Sequence, residues 1–324
     1  MALPTDPTAD DAAPPTAGGP TETPVGARPG RPTRRRVLQA AGTLLGGGAL
    51  AAGGYVAYDW RQRFGRPAER QIPDHRVALP AGTPRMVIAY GADPALAVRA
   101  AIERVGGMMR FVAPGDVVLI KPNVGWERTV LQAANTHPDV VAELVRACRA
   151  AGASRVMVSD CPVNEARSTF ERSGVLRAAG DAGAEVVLPE DSRYQTVRIS
   201  ERLGTWDVLE PFVAATKIIN APVAKHNPLS RVTGGMKNWI GITTQRRMSF
   251  HTDIHRSIAE LAALMRPTLT VLDASRVLMR NGPQGGNLAD VKDIGAVAAS
   301  VDPVAVDAWA CGLLGARPDR RAAS

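Results

Sequence analysis

Cysteine is almost absent from these 324 residues: only Cys148, Cys161 and Cys311 occur, with no Cys-x-x-Cys pair among them. That removes a zinc knuckle and a self-contained iron–sulfur motif, since both need closely spaced thiolates. An odd number of widely separated thiols also argues against a disulfide framework. Aromatic residues make up 4% of the chain and do not interleave with basic runs, so the stacking surfaces of a nucleic-acid binder are missing. Three catalytic signatures are absent as well. There is no G-x-x-x-x-G-K-[ST] phosphate loop, no H-E-x-x-H pair and no G-x-S-x-G elbow. Lysine is the scarcest charged residue, with five against 34 arginines.

What is present bounds the answer. With 45% hydrophobic residues the chain can bury a substantial core, as one large domain or two small ones. The formal charge is +8, of which about +7 lies beyond the N-terminal segment, a balance that suits acidic ligands.

The N-terminus reads as a targeting segment, to be kept apart from the fold. Residues 1–33 are rich in Pro, Thr, Ala and Gly, a composition expected to remain disordered because it buries too little apolar surface. "TRRRVLQ", Thr33 to Gln39, resembles a twin-arginine export signal, and residues 37–58 carry no charge. That run has the roughly 20 residues needed to span a bilayer. Ala49-Leu50-Ala51 offers a small-residue cleavage site, whereas Arg61 and Arg63 just beyond leave an uncleaved anchor open. The expectation is a signal or anchor over 34–58, a linker over 59–82, and export across the cytoplasmic membrane by the twin-arginine translocase.

From residue 83 the pattern is regular. "RMVIAYG", "DVVLIKPNV", "RVMVSD", "AEVVLPED", "KIINAPVAK", "LTVLDASRVL" and "IGAVAASVD" read as apolar strands, and helical patterns stand between them. Asp93 is placed to cap the first helix, while Pro138 and Gly152 bracket another. "YQTVRIS" and "WDVLE" read as a small hairpin. This order predicts an α/β domain over 83–316, a mostly parallel sheet with helices on both faces and a small antiparallel insertion. Ligands on such sheets bind beyond the carboxyl ends of the strands.

Those ends carry chemistry. The predicted strands finish at Gly91, Lys121-Pro122-Asn123, Asp160, Glu190-Asp191, Lys225-His226 and Asp273. Polar loops account for part of this, but the lysines stand against the chain's bias. Lys121 and Lys225 end strands, Lys217 opens one, and Lys237 lies in "TGGMKN". An ammonium approaches a single oxygen and can lose its proton when buried, which a guanidinium cannot do. Gly234 and Gly235 allow close backbone approach and φ > 0, and a helix starting near Met236 would aim free N–H groups at an anion held by Lys237. "NGPQGGN", Asn281 to Asn287, is either a second glycine loop over the same place or a plain turn.

His251 and His255 stand four apart, on one face if a helix includes both, but Asp253 between them is a natural cap that would leave His251 outside. Thr252 replaces the glutamate of a zinc-protease pair, and no metal set is assigned. His251 or His226 is better used as a proton donor or hydrogen-bond partner.

"VVLIKPNV", "THPDVVAELVRACRAAGASRVMVSD", "IINAPVAKHNPLSRVTGGMKNWIG", "LTVLDASRVLMRNGPQGG" and "AASVDPVAVDAWACGLLG" together resemble the domain-of-unknown-function 362 family, across residues 86–315. Its most specific element is the Lys-His pair followed by Thr-Gly-x-x-Lys-Asn. The resemblance marks Lys121, Asn123, His137, Asp160, Lys225, His226, Lys237, Asn238, Asp273, Asp302 and Asp307. It implies no assigned reaction. Some members are fused to ferredoxin-type modules, so an iron–sulfur cluster is expected here only through an electron-transfer partner. Asp302 suits a helix cap, and Asp307, if buried, needs a partner such as one of the lysines.

The expectation is an anionic small-molecule pocket. Lys225, His226, Lys237, His251 and Asp160 would be catalytic, and Lys121, Asn123, Gly234, Gly235, Asn238, Asp273 and Asp307 would bind the ligand. Redox chemistry with an external donor is the favoured activity; the alternative is a non-catalytic binding or assembly protein.

Overall fold

In chain order, β1 (Met86–Tyr90) leads to α1 (Pro94–Arg104), β2 (Val117–Pro122) to α2 (Pro138–Ala150), and β3 (Arg155–Val158) to α3 (Ala166–Arg172) and α4 (Val175–Asp181). A short β4 (Glu185–Val186) precedes the hairpin β5 (Tyr194–Ser200) and β6 (Gly204–Leu209), then α5 (Pro211–Ala214). The next apolar run divides at Pro222, which has no N–H for a ladder, into β7 (Lys217–Ala221) and β8 (Val223–Asn227), with β9 (Arg231–Thr233) after it. Two 3₁₀ turns, Lys237–Ile242 and Arg247–His251, then lead to α6 (Ile254–Met265), β10 (Leu269–Leu278), β11 (Val291–Ser300) and α7 (Pro303–Leu313). This computed structural model describes residues 69–244 and 246–316. The expected export signal and the residues before it lie outside the described residues. No helix among the described residues is long and apolar enough to cross a membrane.

Local chemistry sets the helix starts. Asp93 accepts from the amides of Ala95 and Leu96 at 2.8 and 3.1 Å, and Asp302 from those of Val304 and Ala305 at 2.9 and 3.2 Å. Each cap is followed by a proline, whose missing N–H costs nothing at that position. His137 caps α2 in the same way, its Nδ1 accepting from Asp139 N at 3.2 Å.

The main sheet runs β1-β11-β10-β7-β2-β3-β4. From β10 through β4 the pairings are parallel, while β11 runs antiparallel between β1 and β10. β8 continues alongside β10 and carries β9 as an antiparallel edge. The hairpin β5–β6 forms a separate two-stranded sheet.

Alternation along the strands splits the core. Val118, Ile120, Val156 and Val158 pack under α1–α4, whereas Leu119 and Met157 face the hairpin, α5 and α6. α7 covers Leu272, Ala274, Ala296 and Ala298 of β10 and β11. Helices therefore cover both faces, as expected of a mostly parallel sheet. Residues 69–82, read as the end of a linker, lie against the domain: Arg70 bridges to Val197, and Ile72 and His75 are buried.

Candidate functional site

Lys121 shares strand parity with Leu119, so it points to the hairpin face where β2 ends. There Lys121, Asp160 after β3, Lys225 on β8 and Lys237 in the first 3₁₀ turn line one cavity of about 620 Å³. Arg246, Arg247 and His251 line it too, along with Trp126, Leu229, Ile240 and Met248. Among the described residues, five lysine and arginine side chains thus line a hollow to which Asp160 alone contributes a carboxylate.

The three lysines find different numbers of acceptors. Lys121 Nζ is fully engaged: it donates to Asn238 Oδ1 at 2.8 Å and to the Pro122 carbonyl at 2.9 Å, and it pairs with Asp160 Oδ1 at 2.7 Å. Asp160 is held in turn by the amides of Val124 at 2.7 Å and Cys161 at 2.9 Å. Burial pulls the Lys121 ammonium below its usual range, and Asp160 opposes that shift.

Lys225 Nζ has two acceptors, Asn123 Oδ1 at 2.8 Å and the Ala134 carbonyl. The latter is in reach because the loop after β2 folds back, with Asn123 N donating to Thr136 Oγ1 and Thr136 N to the Asn123 carbonyl. Burial, reinforced by the nearby charge of Lys237, lowers Lys225 to about 7. Lys237 has no hydrogen-bond or ion-pair partner among the described residues, and burial lowers it to about 8.

A chain of amides fixes these positions. Asn123 Nδ2 donates to Asn238 Oδ1 at 2.9 Å, Asn238 Nδ2 to Asn220 Oδ1 at 2.8 Å, and Asn220 Nδ2 to the Gly235 carbonyl at 2.8 Å. Gly241 permits the packing above the ion pair, because a Cβ there would overlap Asp160 Oδ1 and stand 2.9 Å from Lys121 Nζ.

The Gly-Gly segment works differently from its expected role. Neither Gly234 nor Gly235 has positive φ, and neither lines the cavity. The amides of Gly235 and Met236, expected to meet a ligand, donate instead to Asp307 Oδ1 at 2.5 Å and Oδ2 at 3.0 Å. Asp307 therefore binds backbone rather than a lysine, and burial raises its carboxyl to about 6 against the pull of those two N–H groups. Glycine is needed at 234 because a Cβ would run into the Asp307 carboxylate.

Of the other expected residues, Asn123, Asn238 and His251 line the cavity, whereas His226 and Asp273 do not. His251 precedes α6, which Asp253 caps, and exposed His255 lies within that helix. A carbonyl only accepts, so the contact of His251 Nδ1 with the Arg247 carbonyl at 3.1 Å puts the hydrogen on Nδ1 and leaves Nε2 free. Asp273 lies within β10 rather than at a strand end; it accepts from the amides of His137 and Ser275 and from the Ser275 hydroxyl. Cys161 lines the cavity, but burial pushes its thiol up to about 12, leaving it protonated. Among the described residues no group of three or more His, Cys, Asp or Glu side chains is placed to hold a metal.

Sequence reasoning missed Arg246, Arg247 and Trp126. Arg247 spans to the Cys161 and Pro162 carbonyls at 2.7 and 2.6 Å, and Arg246 stacks 4.6 Å over the Trp206 ring. Both arginines follow the Gly-Gly segment in "TTQRRMSF", but in so arginine-rich a chain they carry no distinguishing signal.

Fold and cavity together define an α/β protein with a cationic pocket at the carboxyl ends of its parallel strands. The family described as Domain of unknown function (DUF362) matches residues 118–312, and the chain belongs to that family. The thylakoid-associated protein sll1697 of Synechocystis is 30% identical over 227 residues, which cover 67% of this chain and 69% of that protein. Two solved structures are similar at 11% identity and a TM-score of 0.41. The lactate racemase apoprotein of Thermoanaerobacterium thermosaccharolyticum is matched over 75% of this chain and 58% of its own. A Thermotoga maritima protein is matched over 70% and 60%. This chain spans about three fifths of each.

Proposed function

We propose that the protein takes an anionic small molecule into this cavity and that Lys225 moves a proton on it. The observation that carries the reading is the gathering of five cationic side chains around one hollow, with Lys237 lacking any partner among the described residues. An unpartnered, half-buried ammonium is costly, and an anionic ligand removes that cost. Lys225, at about 7, is matched to proton transfer near neutrality, and His251 Nε2 offers a second carrier in the same space. The fixed ammonium of Lys121 contributes electrostatic stabilisation without moving. Apolar walls from Trp126, Leu229, Ile240 and Met248 favour a ligand with a non-polar body beside its charge.

Thermal denaturation in phosphate, citrate and pyruvate tests the reading. The native protein should be stabilised by at least one of these anions, and Lys237→Met should lose that response. An equal response in the variant would detach Lys237 from the ligand. From the family resemblance and the "TRRRVLQ" segment we also propose that an iron–sulfur donor on a separate protein serves this chain and that the chain is exported across the cytoplasmic membrane. Cell fractionation of the native protein, before and after replacing Arg34 and Arg35 by lysine, tests the latter, with cytoplasmic retention of the variant as the expected result.

A further inference from the structure

We propose that Lys225 also acts as a nucleophile, capturing the carbonyl carbon of an anionic 2-oxo acid or aldehyde as an imine. This rests on the anion-cavity reading above and adds a covalent step to it.

The argument is a count of acceptors. An ammonium has three N–H donors, whereas a neutral amine has two and a lone pair. Lys121 meets three acceptors, one of them a carboxylate, and is built to stay charged. Lys225 meets two carbonyl oxygens and neither a carboxylate nor a third acceptor among the described residues, although it lines the cavity. A third hydrogen there would have no partner; a lone pair needs none. Burial and a neighbouring cation, the two recognised ways of activating a lysine nucleophile, both act on it. Lys237, which has no acceptor among the described residues, is the better placed of the two to hold the substrate's carboxylate or phosphate.

The step balances without an oxidant or reductant. The Lys225 lone pair forms the C–N bond while the carbonyl π pair moves to oxygen, which takes a proton. The nitrogen then loses its hydrogens, the hydroxyl leaves as water, and the products are an imine and one water. His251 Nε2, in the same cavity, can carry the proton between nitrogen and oxygen.

The chain's five lysines make the test clean. The folded protein is incubated at pH 7 with glyoxylate or with neutral acetaldehyde, each with cyanoborohydride to fix imines as secondary amines, and the adducts are mapped by peptide mass. The expected result is one dominant adduct, on Lys225, formed about tenfold faster from glyoxylate than from acetaldehyde because cationic neighbours attract the charged aldehyde. Lys237→Met should bring the glyoxylate rate down toward that of acetaldehyde. Adducts spread over Lys217, Lys292 and the N-terminus, or none on Lys225, would overturn the inference. If phosphate, citrate or pyruvate still stabilises the protein in that case, the anion-binding reading survives; if none does, both fall.

Discussion

Lys121, Lys225 and Lys237 share one functional group and differ in how many oxygens each can reach: three, two and none among the described residues. Burial lowers all three ammonium groups, and that shift has consequences for stability. Lys225 stands near 7 and Lys237 near 8 in the folded protein, against 10.5 for free lysine. Between those values the unfolded chain binds more protons than the folded one, so stability should rise with pH. Urea midpoints should increase from pH 7 to 9, and Lys225→Met should flatten the rise; a fall in the native protein over this window would contradict the assignment. Above 9 the buried Cys148 and Cys161 thiols, held near 12, act in the opposite sense. Gly241 gives a second test at this scale. Its φ of −82° is open to any residue, so the cost of Gly241→Ala comes from the overlap with Asp160 and Lys121 alone. Splitting that buried pair should cost about 3 kcal/mol in a denaturant titration, and an unchanged midpoint would show that the pair moves aside freely.

At the scale of elements, α7 supports the turn that carries Lys237. Asp307 on that helix accepts both amides at the turn's start. Removing it should leave two N–H groups unsatisfied, at about 1–3 kcal/mol each. Asp307→Ala should therefore lower stability and also weaken anion-induced stabilisation, although Asp307 lies outside the cavity; an unaltered anion response would show that the turn holds without α7. The sequence marked Asp307 as needing a partner but pointed to a lysine. The amides it does bind belong to a turn some 70 residues earlier, and only the docking of α7 behind that turn brings them together. Strands were legible because their apolar runs are long and bounded by Asp, Asn and Pro. Their ends are less so: the sequence suggests a terminus at Asp273, yet β10 continues to Leu278, with Asp273 satisfied within it by the amides of His137 and Ser275.

Across the whole molecule, the convergence of Lys121, Lys225, Lys237, Asp160 and His251 on one cavity was visible in outline as scarce ammonium groups at strand ends. The Ala134 carbonyl, which completes the setting of Lys225, had no signature, because a backbone oxygen is the same in every residue. His226, adjacent to Lys225, falls outside the cavity because neighbouring residues on a strand point to opposite faces. The cationic cavity itself is tested most directly by proton uptake. Titrating phosphate or pyruvate calorimetrically at pH 8, in buffers of different ionisation enthalpy, should show uptake approaching one proton per bound anion, as the charge of the ligand raises Lys225 and Lys237. Binding with no proton uptake, or uptake unchanged in Lys237→Met, would contradict the account.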